Sequence, residues 1–242
     1  MTRPAPRQNP EKHSRIFDLS RAPVRELNQA LHDLAPTAGQ TRWKILNPSG
    51  QHAIAVGLHA PIIVEIKGHA GYYCGGMNKQ AAIFIEGNAG VGVAENMMSG
   101  LVHVKGDASQ SAGASAQGGI LLIDGNASAR CGISLKGADI VVRGSVGHMS
   151  AFMAQAGSLV VFGDAGENLG DSIYEARLFV RGNVASLGSD CVEKDMTDAC
   201  KNELHAKLKA AGIAGEADIS SFRRYGSARR IYHFHADHAG EY

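Results

Sequence analysis

The feature that most constrains this chain is a glycine that returns at a fixed interval. Across the middle of the chain, glycine stands at every nineteenth position without interruption. The seven positions are Gly68, Gly87, Gly106, Gly125, Gly144, Gly163 and Gly182. Strict register over this span indicates an internal structural repeat and not a low-complexity linker, even where the sequence is rich in glycine and alanine.

The residues before each glycine have the pattern of a half-buried strand. The position two residues before it is β-branched in every repeat: Ile66, Ile85, Val104, Ile123, Val142, Val161 and Val180. The position four residues before it is aliphatic in every repeat: Val64, Ile83, Val102, Leu121, Ile140, Leu159 and Leu178. Apolar residues at alternate positions, with a charged residue just before the glycine in six of seven repeats, predict a strand with one buried face.

A repeat of this length cannot bury its apolar face alone, so stacked copies must form a solenoid. Turn-forming residues follow each glycine and small residues recur at later positions, so we expect tight corners at which glycine supplies a positive φ. Each strand would pair in parallel with the strand of the next coil, about 4.8 Å away. The sequence therefore predicts a mainly β fold, a single-stranded parallel β-helix of seven coils of about 19 residues. Hexapeptide and leucine-rich repeats do not fit this period, and the fixed aspartates of the calcium-binding nonapeptide repeat are missing.

The segments on either side of the repeats are expected to cover the open ends of the solenoid. Pro23 to Leu34 has the spacing of an amphipathic helix, with Ser20 as a candidate cap. Apolar and polar residues alternate across 42–66 in a way that predicts two or three strands. The segment from Cys191 to Ile213 has the apolar spacing of a second helix. The predicted organisation is a mobile arm 1–14, an N-terminal helix and cap strands 15–60, the β-helix 61–191, a C-terminal helix 192–213 and an Arg/His-rich docking tail 214–242.

Composition and charge exclude several classes of protein. The formal net charge is +1, so the chain has no large excess of positive charge that would attract nucleic acid or an anionic membrane. The N-terminal segment lacks the apolar core of a signal peptide and no run of about 20 apolar residues occurs, so a cytoplasmic location is expected. Without an export signal, the cysteines Cys74, Cys131, Cys191 and Cys200 are expected to be free thiols. Cys74 and Cys131 share one coil position, which favours buried packing for both.

No pattern in the sequence assigns a catalytic, cofactor-binding or metal-binding residue to this chain. The most ligand-like group is His235, Asp237 and His238, but its spacing matches no metal motif, so a polar tail is the favoured interpretation. Glycine-rich strings such as GHAGYYCGG (68–76) are explained by the repeat and need no nucleotide. Three histidines at unrelated coil positions are expected on the surface: His69, His103 and His148.

Two arginine pairs near the C-terminus are candidates for partner docking. They are Arg223, Arg224, Arg229 and Arg230. Because the chain as a whole is close to neutral, docking on an acidic protein surface is favoured over binding to nucleic acid. A long ordered chain of this kind is typical of a subunit whose function lies in its contacts.

The repeat resembles the GXGXG domain, the C-terminal β-helix of the glutamate synthase large subunit. The resemblance covers residues 60–190 and is strongest in GHAGYYCGGMNKQ (68–80) and GDAGENLGDSIYEARLFVRGNVASLGSDC (163–191). A related β-helix occurs in a subunit of formylmethanofuran dehydrogenase and in its formyltransferase/hydrolase relatives. The resemblance implies a right-handed coil. Ser109, Ser128 and Ala185 depart from the pattern at a corner where glycine is usual.

In SDCVEKDMTD (189–198) and FRRYGSARRIYHF (222–234), the chain most resembles the stand-alone GXGXG subunit of N-methylglutamate synthase. That resemblance implies a complex that converts methylamine and L-glutamate to N-methylglutamate and ammonia. It implies a non-catalytic scaffold, binding no cofactor itself, in a larger hetero-oligomer. Its partners would be a class II amidotransferase-like subunit and a glutamate-synthase-like subunit that carries FMN and iron–sulfur clusters.

Two other functions stay open at this point. The first is the β-helix subunit of a formylmethanofuran dehydrogenase or formyltransferase/hydrolase type of complex, which the same repeat would serve. The second is an independent metal-binding module that uses the segment from His235 to His238.

Overall fold

The computed structural model describes residues 14–37, 41–216 and 218–230 of the chain. It contains a parallel β-solenoid of about seven turns, which confirms the predicted β-helix. The strands are β1 (Ser14–Asp18), β2 (Arg42–Leu46), β3 (Ile63–Ile66), β4 (Ala82–Ile85), β5 (Leu101–Val104), β6 (Ile120–Ile123), β7 (Lys136–Val142), β8 (Ala156–Val161), β9 (Arg177–Val180), β10 (Cys191–Lys194) and β11 (Arg223–Ser227). The described segments also hold two α-helices, α1 (Val24–His32) and α2 (Asp198–Ala210), and a 3₁₀ turn at Ile219–Ser221.

The strands β3 to β9 stack in parallel, one strand to a coil, and their register follows the 19-residue repeat. Val64 lies opposite Ile83 in the next coil, and the same offset continues to Leu159 opposite Leu178. All fourteen aliphatic side chains predicted to point inward are 0% exposed. Each such side chain stabilises the fold by about 1.5–3 kcal/mol relative to an exposed one, so the interior is held together evenly along its axis. The handedness of the coil stays a prediction.

Small residues form a second, sparser ladder on another side of each coil. The position two residues after each glycine bridges in parallel to its equivalent in the next coil: Ala70, Ala89, Ala108, Ala127, Val146, Ala165 and Val184. A corner with alternating left-handed residues then follows, as at Tyr73 (φ 58°), Gly75 (φ 66°) and Met77 (φ 54°). Many of these left-handed positions hold residues other than glycine, so the stacking of coils imposes the conformation.

The glycines that end the strands are required because the coils lie close together. Of the seven, Gly68 alone has a positive φ, of 141°; the positive φ predicted for corner glycines occurs later in the coil, as at Gly75, Gly113 and Gly132. At the end of the strand, the neighbouring coil leaves no room for a side chain. A Cβ at Gly106 would collide with Asn88 Oδ1 and lie 3.0 Å from the carbonyl carbon of Gly87.

The residue after each of these glycines forms a polar ladder along one edge of the solenoid. Its side chain accepts a hydrogen bond from the backbone N–H of the equivalent residue in the next coil. Asn88 Oδ1 accepts from Asp107 N at 3.0 Å, and Asp107 Oδ1 accepts from Asn126 N at 2.7 Å. The polar ladder comprises His69, Asn88, Asp107, Asn126, Ser145, Asp164 and Asn183. It satisfies backbone donors at a corner where the strand pairing has stopped.

The helix α1 covers the N-terminal end of the solenoid. Leu27 and Leu31 are buried, and the Asn28 side chain donates to the Ala53 carbonyl at 2.8 Å. The helix begins at Val24 after Pro23, which carries no capping side chain. Ser20 was the expected cap, but its hydroxyl and backbone N–H both donate to the Asp18 carboxylate.

The first strands extend the sheet beyond the repeats. The expected strands within residues 42–66 are present as β2 and β3, which pair in parallel. The strand β1 pairs in parallel with β2 and was not predicted from the sequence. It begins at Ser14, the last residue of the predicted mobile arm, whose other residues, 1–13, lie outside the described part of the chain. None of the helices in the described segments is long and apolar enough to cross a bilayer.

The C-terminal end is closed by two antiparallel strands. The strand β11 pairs with β9 on one side and with β10 on the other. The predicted start of the C-terminal helix 192–213 is wrong, because residues 191–194 form β10 and the helix α2 begins only at Asp198. The start is fixed by Thr197, whose hydroxyl accepts from Cys200 N at 3.3 Å. The predicted docking tail likewise contains β11.

The helix α2 lies against the outer face of the sheet. Leu204 and Leu208 are 0% exposed. They pack with outward-facing apolar side chains of four consecutive coils: Leu122, Val141, Val160 and Phe179. A polar contact adds to this packing, because Lys207 Nζ lies 2.7 Å from Asp139 Oδ1, which also accepts from Ser158 Oγ at 2.6 Å.

Candidate interaction surfaces

The interior of the solenoid is filled by side chains. Its apolar core runs from the N-terminal helix to the last coil as one cluster. The buried polar side chains of the described residues are Asn78, Ser150 and Ser158. Each is hydrogen-bonded within the fold, for example Asn78 to the Ala81 carbonyl at 2.8 Å and Ser150 to the Gly147 carbonyl at 2.8 Å. Asn78 and Ser150 thereby support the backbone of the coils, whereas Ser158 donates to the Asp139 carboxylate on the outer face.

The cysteines are free thiols, as the sequence predicts. Cys74 and Cys131 are 0% exposed in the interior, which confirms the expected buried packing role. Burial raises the pKa of both thiols to about 12, and chiefly burial, with nearby Asp190 and Asp171, does the same for Cys191. At neutral pH these three thiols are protonated and therefore poor nucleophiles.

Two of the three histidines expected on the surface are exposed, and the third is not. His69 and His148 are exposed. The side chain of His103 is 12% exposed, with Nε2 3.0 Å from Asp124 Oδ2. It lies on the outer face of β5, where the ring of Phe84 from the previous coil meets it edge-on, with the ring centroids 6.0 Å apart. Strand neighbours on both sides therefore cover His103.

The described residues contain no group of three His, Cys, Asp or Glu side chains placed to hold a metal ion. The candidate ligands His235, Asp237 and His238 lie outside the described part of the chain.

Large apolar side chains are exposed on the first two coils. Tyr72, Tyr73, Met77 and Met98 are 45–50% exposed, and they form what we call the aromatic–methionine patch. The Tyr72 ring stacks on His52 with centroids 4.4 Å apart. Exposed aromatic and methionine side chains are enriched at protein interfaces, so this patch is a candidate docking surface.

Two glycines in the second coil leave room for the tyrosine rings. A Cβ at Gly90 would lie 2.9 Å from the Tyr72 ring, and one at Gly92 would lie 3.1 Å from the Tyr73 ring. The rings therefore lie across the backbone of the next coil. The sequence analysis did not identify this patch. The residue types at these positions gave no signal, because the positions of Tyr73 and Met77 hold Met149 and Met153 in the fifth coil.

The predicted docking arginines do not form one patch. Arg223 and Arg224 are neighbours on β11, so their side chains point to opposite faces of the sheet. The Arg223 guanidinium donates to the Gly182 carbonyl at 2.9 Å, and Arg229 lies 2.9 Å from Glu175. Arg230 is exposed.

A pocket of about 310 Å³, which we call the basic pocket, opens where β9, β11 and β10 meet. Arg224 and Arg229 line it together with Arg177 and Lys194. Lys194 was not predicted as a site residue, because its position opposite Arg224 depends on a strand pairing distant in sequence. The docking role of the four predicted arginines stays a prediction.

No protein-family model matches the chain. Among solved structures, the fold is similar to that of a chain in the formyltransferase/hydrolase complex (FhcABCD) from Methylorubrum extorquens, solved in complex with methylofuran. The TM-score is 0.64, with 21% identity, over 83% of this chain and 85% of that chain. At this identity the likeness concerns the fold alone.

A relative that is much more similar in sequence is protein GlxC of Rhizobium meliloti (strain 1021). The two are 54% identical over 227 residues, a match that spans 94% of this chain and 99% of the relative. Because more than half of the aligned residues are identical over nearly the whole of both proteins, the chain belongs to the GlxC family of proteins.

Proposed function

We propose that this chain is the non-catalytic scaffold subunit of a heteromeric N-methylglutamate synthase. In that complex it joins an amidotransferase-like subunit to a glutamate-synthase-like subunit that holds FMN and iron–sulfur clusters. The motif resemblance supplies the identity of the complex. The observation that carries the scaffold role is the aromatic–methionine patch on a rod whose interior is filled by aliphatic side chains.

The geometry suits a spacer between two partners. Strand-to-strand hydrogen bonding along every coil makes the rod rigid, with coils about 4.8 Å apart. The aromatic–methionine patch lies on the first two coils, and the predicted docking residues Arg223 and Arg230 lie at the C-terminal end, on β11 and just after it. At that spacing the two surfaces are roughly 25 Å apart along the axis, and they differ in chemistry. One subunit can therefore hold two different partners at a fixed separation.

Co-purification tests the proposal. The full chain, tagged, is expressed with the proteins encoded beside its gene, and the complex is isolated by size-exclusion chromatography. We expect the flavin absorbance to elute with this chain at the mass of a hetero-oligomer. Elution of this chain apart from all flavin would contradict the proposal.

A pair of variants tests the patch itself. Tyr73→Ser/Met77→Ser removes two exposed apolar side chains from the first coil. We expect the affinity for one partner to fall by about tenfold or more, since exposed aromatic anchors dominate interfaces. Met149→Ser/Met153→Ser is the matched control, because these methionines occupy the same two positions of the fifth coil with the same left-handed backbone. An equal loss of affinity in both variants would show that the patch has no special role.

A formyltransferase/hydrolase type of complex is the second candidate. The fold likeness to a chain of FhcABCD favours it, and a β-helix subunit would again serve through its contacts. The same purification separates the two functions, because the partners would then be metal-dependent formyl-transfer and hydrolysis proteins without flavin.

A further inference from the structure

The basic pocket at the C-terminal end of the sheet has an unusual distribution of charge. Four of its lining side chains are cationic: Arg177, Lys194, Arg224 and Arg229. Two of these are neutralised, Arg177 by Glu203 at 2.5 Å and Arg229 by Glu175 at 2.9 Å. The remaining two cations determine what the pocket can bind.

Lys194 and Arg224 lie directly opposite each other on the antiparallel strands β10 and β11. Neither side chain makes an ion pair or a side-chain hydrogen bond with another described residue. Like charges placed directly opposite in a sheet destabilise it. In addition, the Arg224 Nε is buried and has no acceptor among the described residues, which carries a desolvation cost.

Several basic side chains on the same outer face of the sheet are paired with carboxylates. Lys67 lies 3.0 Å from Glu65, and Arg143 lies 3.2 Å from Asp124. Lys194 and Arg224 have no such carboxylate partner among the described residues, although they lie directly opposite each other. An anion seated between the two cations would remove their repulsion and supply the acceptor that Arg224 Nε lacks.

We propose that this pocket binds a small anion with two or more oxyanion groups, either carboxylate or phosphate. Arg224 supplies the planar donor fork that matches such a group, and Lys194 supplies a second point charge beside it. A volume of about 310 Å³ accommodates a ligand of this size. The site is a property of the isolated chain and does not depend on the proposed complex.

Calorimetric titration of the full chain with citrate and with pyrophosphate tests the site, in a low-salt buffer free of other multivalent anions. We expect saturable binding of at least one probe. Arg224→Gln and Lys194→Gln should each weaken it by about tenfold or more, the effect of losing one charge-assisted contact. Binding of citrate alone identifies a carboxylate ligand, and binding of pyrophosphate alone identifies a phosphate ligand.

Lys79→Gln is the matched control. It makes the same change of charge at an exposed lysine of the first coil, remote from the pocket, and should leave the affinity unchanged. Absence of saturable binding of both probes would overturn the proposal. So would an equal weakening by the control, because the attraction would then come from the net charge alone.

Thermal melting supplies a second readout that is independent of titration. Without a multivalent anion, Lys194→Gln should melt at the same temperature as the natural chain or higher, because the substitution relieves a repulsion. A bound anion should raise the melting temperature of the natural chain more than that of the variant. A lower melting temperature for Lys194→Gln without anion would contradict the proposal.

Discussion

A single glycine position shows how closely the coils approach each other. At Gly106 the backbone runs past the Asn88 side chain of the previous coil. The amide oxygen of that side chain already accepts a hydrogen bond of the polar ladder, from Asp107 N. A methyl group there must displace the ladder amide or push the two backbones apart. The constraint is one of space between coils, which explains why the glycine period is strict although the backbone conformation of six of the seven glycines is an ordinary one.

Gly106→Ala is expected to destabilise the fold by about 1–3 kcal/mol, the combined effect of overpacking and a lost ladder hydrogen bond. Urea unfolding followed by circular dichroism measures the change. Gly215→Ala is the control, because no atom lies within 4 Å of the added Cβ. If the two substitutions lowered the unfolding midpoint equally, crowding by the neighbouring coil would not be the reason for the glycine.

Among the elements, the helix α2 depends on a row of outward-facing residues three positions before each glycine. In the first three coils this row reads Glu65, Phe84 and His103. From the fourth coil it reads Leu122, Val141, Val160 and Phe179, which together form the surface that α2 covers. The change of the row from mixed to apolar therefore predicts where a helix packs, and it was readable in the sequence.

Leu204→Ala should release α2 without unfolding the coils beneath it. A buried leucine replaced by alanine costs about 2–5 kcal/mol, and the loss falls on a helix attached through few such side chains. A loss of this size raises the population of the detached helix at least tenfold. We therefore expect trypsin to cleave the variant at Lys201, Lys207 and Lys209 at least tenfold faster than the natural chain. His205→Ala, at an exposed position of the same helix, serves as the control. Unchanged cleavage in Leu204→Ala would mean that α2 is held by other contacts.

For the whole molecule, the solenoid was predictable because each coil repeats the same local sequence pattern of strand and turn residues. The strand, its register and all fourteen inward aliphatic side chains follow from the period. The C-terminal closure was not predictable, since β11 pairs with β9 across more than forty residues of chain, as Arg224 with Phe179. The candidate surfaces were missed for a related reason: exposure of Tyr73 or isolation of Lys194 depends on neighbours that no local pattern specifies.

The rod should also lose stability differently at its centre and at its end, because each coil contacts only its neighbours. Leu121 and Leu178 occupy the same coil position and are both 0% exposed, the first in the fourth coil and the second in the last. Each replacement by alanine removes about 2–5 kcal/mol of packing. In hydrogen exchange we expect Leu178→Ala to lose protection in β9, β10 and β11 while β3 to β5 stay protected. Leu121→Ala should instead weaken protection on both sides of the fourth coil. An equal loss along the entire rod in both variants would show that it unfolds as one cooperative unit, with no boundary between coils.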